Sequence, residues 1–145
     1  MLEDVYIATN KMPWLEFGGG IDFKVLRTSE ETGTWSVLFR CAKGASFRPH
    51  RHLGGGEYLV LSGRMEVRGG EEAGGVTAHP GDYGYEPNGV LHEQTDFPED
   101  TQLYFTNNGP IQFLTDDGAP DFVLDVTLLN QLAAQAEKAQ IAATA

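Results

Sequence analysis

The stretch Gly44-x5-His50-x-His52-x4-Glu57-x5-Gly63, followed by Gly81-x5-Pro87-x-Gly89-x2-His92, decides how this chain is to be read. Successive side chains on a strand point to opposite faces, so His50 and His52, two apart, share a face and can grip one ion. His92 must join them from another strand. Imidazole is a ligand for divalent Zn, Cu, Fe and Ni, and three of the chain's 4 histidines fall within these two patterns. The fourth, His79, stands outside them between Ala78 and Pro80 and reads as a surface turn residue.

The rest of the sequence is consistent with a β protein around that site. Its 18 glycines and 7 prolines punctuate short apolar or alternating runs, the pattern of a sandwich or barrel. Strands are expected over 21–27, 34–41, 57–61, 65–68, 76–79, 83–86, 91–95, 103–107 and 111–115. In 34–41, Trp35, Val37, Phe39 and Cys41 share one face; Ser36, Leu38 and Arg40 share the other. Gly69 to Gly75 reads as a polar hairpin loop. The Gly54-Gly55-Gly56 run lacks the Lys-Ser/Thr and helix of a phosphate loop and reads as a sharp bend between ligands. From Asp125 the texture changes: Leu128, Leu129, Leu132, Ala133 and Ala136 form the stripe of one amphipathic helix over about 125–142, capped by Asp125 or Thr127, with Ile141 to Ala145 expected to fray.

Composition narrows the function. At 145 residues the chain has the size of one domain, 1–145, with the barrel over about 15–120. A net charge of −11 with no dense Lys/Arg patch disfavours nucleic acid and anionic membrane surfaces, leaving a small molecule as the expected ligand. Cys41, the single cysteine, permits no internal disulfide and reads as a small buried apolar side chain. The start lacks the basic and apolar segments of a secretory signal, and no stretch approaches the length of a membrane span. A cytoplasmic location is expected.

On these motifs the sequence resembles the cupins, whose two signatures are Gly-x5-His-x-His-x(3,4)-Glu-x6-Gly and Gly-x5-Pro-x-Gly-x2-His-x3-Asn. Two departures appear: the first motif closes one residue early at Gly63, and the second ends in Asp96 instead of Asn. Neither touches a ligand position. The resemblance implies an all-β fold, the cupin double-stranded β-helix or jelly-roll barrel, followed here by the C-terminal helix.

The segment 56–75 (GEYLVLSGRMEVRGGEEAGG), with Asp82 to Glu86 and Leu91-His92, is similar to the acetylacetone-cleaving dioxygenases over residues 15 to 120. That resemblance implies an Fe(II)-dependent dioxygenase that uses O2 to break a C–C bond of a small β-diketone or hydroxyketone, with His50, His52 and His92 as ligands. Zn or Ni also suits three imidazoles. Glu57 is the fourth ligand by the general cupin pattern and a nearby carboxylate by the closer family. Glu86 matches a glutamate beside the metal that orients a histidine or takes the substrate's proton. Arg68, Tyr58 and Thr95 match polar positions around the metal, and Phe47 an apolar pocket position. Aromatic residues are expected in that family where this chain has Leu103 and Asn107. The exchange predicts a roomier pocket with an amide facing a bulkier or hydroxylated substrate. The rival reading is a non-catalytic metal-sensing cupin, which needs Glu57 as a firm ligand. Cupins commonly pair through sheet edges, so a homo-oligomer is expected.

Overall fold

The computed structural model describes residues 3–144, so Met1, Leu2 and Ala145 of the expected 1–145 domain lie outside the described residues. In chain order the strands are β1 (Leu15–Gly18), β2 (Ile21–Thr28), β3 (Trp35–Cys41), β4 (Ser46–Phe47), β5 (His50–His52), β6 (Gly56–Ser62), β7 (Met65–Val67), β8 (Val76–Ala78), β9 (Tyr83–Glu86), β10 (Leu91–His92), β11 (Thr95–Asp96), β12 (Thr101–Asn107), β13 (Ile111–Leu114) and β14 (Pro120–Leu124). Helix α1 (Val126–Thr144) follows. Among the described residues the pairings are antiparallel and form three sheets. One has the order β1-β2-β3-β12-β6-β9, and the two four-stranded sheets have the orders β10-β5-β13-β14 and β4-β11-β7-β8.

Alternation explains the six-stranded sheet. On β3 the expected inner set Trp35, Val37, Phe39 and Cys41 is buried, and on β12 Leu103, Phe105 and Asn107 are buried opposite them in register. Each large apolar side chain so removed from water contributes about 2 kcal/mol, enough in sum to hold the sheet on its core. Apart from the half-buried Leu38, the outward side chains of the same strands are polar or aromatic, Ser36 contacting Thr106 and Arg40 pairing with Asp22.

The expected strand 91–95 is two strands. Leu91–His92 pairs with β5 in one sheet; Thr95–Asp96 pairs with β4 and β7 in the other. The break has a physical reason. His92 and Thr95 are three apart and would face opposite sides of a continuous strand, yet both are buried and both line one cavity. The turn at Glu93-Gln94 resets the parity. The same device separates Phe47 on β4 from His50 on β5, with Pro49 in the gap, and both of these also line the cavity.

Helix α1 buries Val126 and Leu129 and half-buries Leu128 and Leu132, the face expected from the stripe. Asp125 caps it, its Oδ1 accepting from Leu128 N at 2.9 Å, and Thr28 Oγ1 donates to Asn130 Oδ1 at 2.8 Å to tie the helix to β2. The helix runs to Thr144, beyond its expected fraying point at Ile141. In the 69–75 loop, residues Glu71–Ala73 form one 3-10 turn.

Candidate metal centre

Three strands deliver the site. On β5 the pattern His50-Arg51-His52 is buried, exposed, buried, so both imidazoles point inward as their spacing requires. Strand β10 pairs antiparallel with β5 so that His92 stands directly opposite His50. Its arrival is set by the turn Pro87-Asn88-Gly89-Val90, closed by Val90 N donating to Pro87 O at 3.2 Å. Gly89 occupies the third position with φ of +87°, which a side chain would strain, and this accounts for the glycine of the second motif. The turn is pinned to β5 by the main chain of His52, whose N donates to Val90 O and whose O accepts from Gly89 N.

The three imidazole rings lie at the corners of an equilateral triangle, each pair of centroids 5.2 Å apart. Glu86, the last residue of β9, enters from the six-stranded sheet. Its Oε2 is 2.5 Å from His92 Nδ1 and 3.1 Å from His52 Nε2. One donor atom from each of His50, His52, His92 and Glu86 falls within 4.8 Å of every other.

These donors fit a divalent ion. His50 Nδ1 lies 2.7 Å from Arg48 O, and a carbonyl oxygen only accepts, so that nitrogen carries the proton and Nε2 keeps its lone pair. His52 Nδ1 faces Asn107 Oδ1 at 3.3 Å, to the same effect. The released Nε2 of His52 is buried without a hydrogen-bond partner among the described residues, although Glu86 stands beside it. A buried lone pair of this kind is what a cation would satisfy. Burial pulls His50 down to about 4 against a smaller upward pull from its bond to Arg48, so the ring is neutral and ligand-ready at physiological pH. Burial also lowers His92, with the Glu86 charge opposing it. For Glu86, burial works to raise the carboxyl, but the facing His52, His92 and His50 more than offset it and the net shift is downward.

The other expected site residues separate into those that reach the cavity and those that do not. Tyr58 is buried on β6 and lines it, its phenol pushed up chiefly by burial and then by the charges of Glu86 and Asp82. Thr95 lines it too, with a buried Oγ1 that has no partner among the described residues. Arg68 is exposed just past β7, in the left-handed region at φ 54°, and forms no ion pair with Glu86 among the described residues. It lines an outer groove together with Tyr58, Glu86 and His92.

Glu57 does not join the imidazoles. Strand β6 alternates, burying Gly56, Tyr58 and Val60 and exposing Glu57, whose Oε1 accepts from Tyr83 on the outer surface at 2.7 Å. The carboxylate that completes the cluster is Glu86, which sequence reading placed beside the metal and not among the donors. The register explains the exchange: β6 and β9 pair with Gly56 opposite Glu86 and Glu57 opposite Tyr85, so the inward position belongs to 86.

The pocket expectation is also corrected. The cavity is lined by Phe39, Phe47, Phe105 and Phe113 around the histidines, with Leu103, and the space open to the centre of a water molecule is about 30 Å³. That is room for two or so waters. Asn107 is wholly buried behind His52, its amide committed to His52 and to Gly109 O, and it offers nothing to the cavity. His79 is exposed in its turn and Trp35 and Cys41 are buried, as expected; the Trp35 indole donates to Gly109 O, and burial pushes the Cys41 thiol up to about 12.

Residues 2–112 match the family described as the ChrR cupin-like domain. The chain is a cupin. It is 48% identical over 100 residues to the acetylacetone-cleaving enzyme of Acinetobacter johnsonii, a stretch that is 69% of this chain and 65% of that enzyme. The cupin thus spans under two thirds of the length of that curated relative. Among solved structures it resembles an acetylacetone dioxygenase from Acinetobacter johnsonii, with 39% identity, 91% of each chain covered and a TM-score of 0.81. A protein with a cupin-like fold from Ralstonia eutropha, 24% identical, covers 97% of this chain and 89% of its own with a TM-score of 0.83, a likeness of fold alone. Among the described residues no helix is long and apolar enough to cross a membrane.

Proposed function

We propose that this cupin is an Fe(II)-dependent dioxygenase that cleaves a C–C bond of a compact β-diketone with O2. The observation that carries the reading is the convergence of three buried imidazoles and one carboxylate on the floor of a small aromatic cavity. Identity with acetylacetone-cleaving proteins supports the chemistry. His50, His52 and His92 would hold the ion, for which Zn and Ni compete. An ion held by neutral ligands supplies positive charge that favours an enolate and, where it is iron, reactivity toward O2.

The chain's own groups do the rest. Glu86, held as a carboxylate beside His92, accepts the proton from the carbon between the two carbonyls. Tyr58 and Thr95 present hydroxyls to the substrate's oxygens, and the phenylalanine walls exclude water. Arg68, in the outer groove, draws the anionic form toward the site. With Asn107 turned away, the cavity presents Leu103 and phenylalanine rings where sequence placed an amide, which supports a short apolar diketone over a hydroxylated substrate. Glu57, the ligand that the sensor reading required, lies on the outside. Cytoplasmic location and a single domain complete the proposal. Self-association does too, supported by the exposed Leu59, Leu61, Tyr83 and Tyr85 on the outer face of β6 and β9, and sedimentation would check it.

Anaerobic loading with Fe(II), followed by O2 uptake across a panel of β-diketones, tests the reading. Uptake with acetylacetone at least equal to that with larger analogues is expected. No uptake with any diketone by iron-loaded protein would favour the sensor instead.

A further inference from the structure

We infer that Asn107 is a positioning residue that dictates which nitrogen of His52 faces the metal, an inference resting on the metal-centre reading above. Asn107 lies on β12 between Trp35 of β3 and Gly56 of β6, with no exposed surface. A buried amide costs free energy unless both ends are bonded, and here both are. Nδ2 donates to Gly109 O. Because a carbonyl oxygen only accepts, that bond fixes the amide's orientation and turns Oδ1 toward His52 Nδ1 at 3.3 Å. Oδ1 in turn only accepts, so the proton of a neutral His52 is held on Nδ1. Glu86 Oε2 also stands 3.1 Å from Nε2, but out of line for a hydrogen bond, so Nε2 is left as a bare lone pair, the one imidazole nitrogen of the cluster buried without a hydrogen-bond partner among the described residues.

The relay is anchored and given room. Gly109 O also accepts from Trp35 Nε1 at 2.9 Å, so a core indole holds the carbonyl that holds the amide. A Cβ on Gly56 would stand 2.5 Å from Asn107 Oδ1 and 3.4 Å from His52 Cε1, so that glycine makes way for the pair. His50 achieves the same tautomer through the backbone carbonyl of Arg48. His52 depends on a side chain, and therefore on the residue at 107.

The probe is zinc, its affinity measured by chelator competition for the wild-type chain, Asn107→Leu and Asn107→Asp. Nitrogen-resolved NMR of the metal-free proteins reports the His52 tautomer. Leucine removes the acceptor at similar volume; aspartate keeps the acceptor and loses the donor to Gly109. Affinity of the leucine variant should fall 10- to 100-fold, as for other groups that orient a metal-bound histidine, with His52 shared between tautomers. The aspartate variant should stay within about threefold of wild type with Nδ1 protonated, although it melts lower. Asn107→Ser, too short to reach His52, replaces leucine if that variant does not fold. Wild-type affinity and an unchanged tautomer in the leucine or serine variant would overturn the inference. So would aspartate binding as weakly as leucine, because the loss would then belong to packing. A wild-type protein that takes up no zinc would instead remove the metal-centre reading beneath it.

Discussion

The two faces of the β6–β9 ribbon are built by the same eleven residues and do different chemistry. Inward lie Gly56, Tyr58 and Glu86, against the histidines; outward lie Glu57, Leu59, Tyr83 and Tyr85, in water or near it. Glu57 and Glu86 are both carboxylates near the metal motifs in sequence, yet one bonds a surface tyrosine and the other stands against two buried imidazoles. Strand parity, and not nearness to a histidine in the motif, selects the carboxylate that enters the site.

The sharpest way to break this comparison is to neutralise each carboxylate. Glu86→Gln should lower turnover with a β-diketone about 10- to 100-fold while much of the iron content is kept, whereas Glu57→Gln should stay within about twofold. Equal losses would erase the distinction between the faces. Both are read from steady-state O2 uptake normalised to bound metal.

Acid should act on the inner face next. His50 has a folded pKa near 4, below its ordinary value of 6.5, so the folded chain binds fewer protons than the unfolded one in that window. Stability of the chelated, metal-free protein is therefore full above about pH 6.5 and is lost as pH falls through 4, by about 3 kcal/mol once His50 is protonated in both states. Glu86, also lowered, adds to the loss below the usual carboxylate range. Urea unfolding at pH 7, 5.5 and 4 measures it, and a flat profile would contradict the buried neutral imidazole.

Packing gives a smaller contrast. A Cβ on Gly84 would lie 2.1 Å from the Tyr58 ring, so Gly84→Ala should cost about 1–3 kcal/mol. Its outward neighbour Tyr85 is 58% exposed, and Tyr85→Ala should change stability by about 0.5 kcal/mol or less. Thermal melts of the two variants rank the faces directly.

Much of this was legible in sequence because it is carried by period and by turn chemistry. His50 and His52 share a face by spacing alone, Gly89 closes the turn that brings His92, and the leucine stripe gave the helix. Other features were hidden for identifiable reasons. Glu57 was placed at the metal by motif pattern, and its face-mates Leu59 and Leu61 are too apolar to mark that face as outward. Val60 and Tyr58, the true inner set, are no more apolar to the eye. The break between His92 and Thr95 carries neither Gly nor Pro. Strand β14 begins at Pro120, which reads as a breaker but is tolerated because β14 is an edge. Asn107 looked like a pocket residue because its parity with Leu103 and Phe105 is correct; what sequence could not supply is how deep each position lies, and Asn107 sits behind His52 and not in front of it.

Strands β9 and β10 are each the last strand of their own sheet, and only the Pro87–Gly89 turn joins them. Glu86 and His92 thus sit on opposite lips of a seam, each lip lacking a second neighbour to hold it. Amides along this seam should trade hydrogen for deuterium sooner than those of β3 and β12, which are flanked on both sides. An ion held by the histidines would draw the Glu86 carboxylate toward its charge and close the seam, so slowed exchange there would report occupancy of the centre without any substrate.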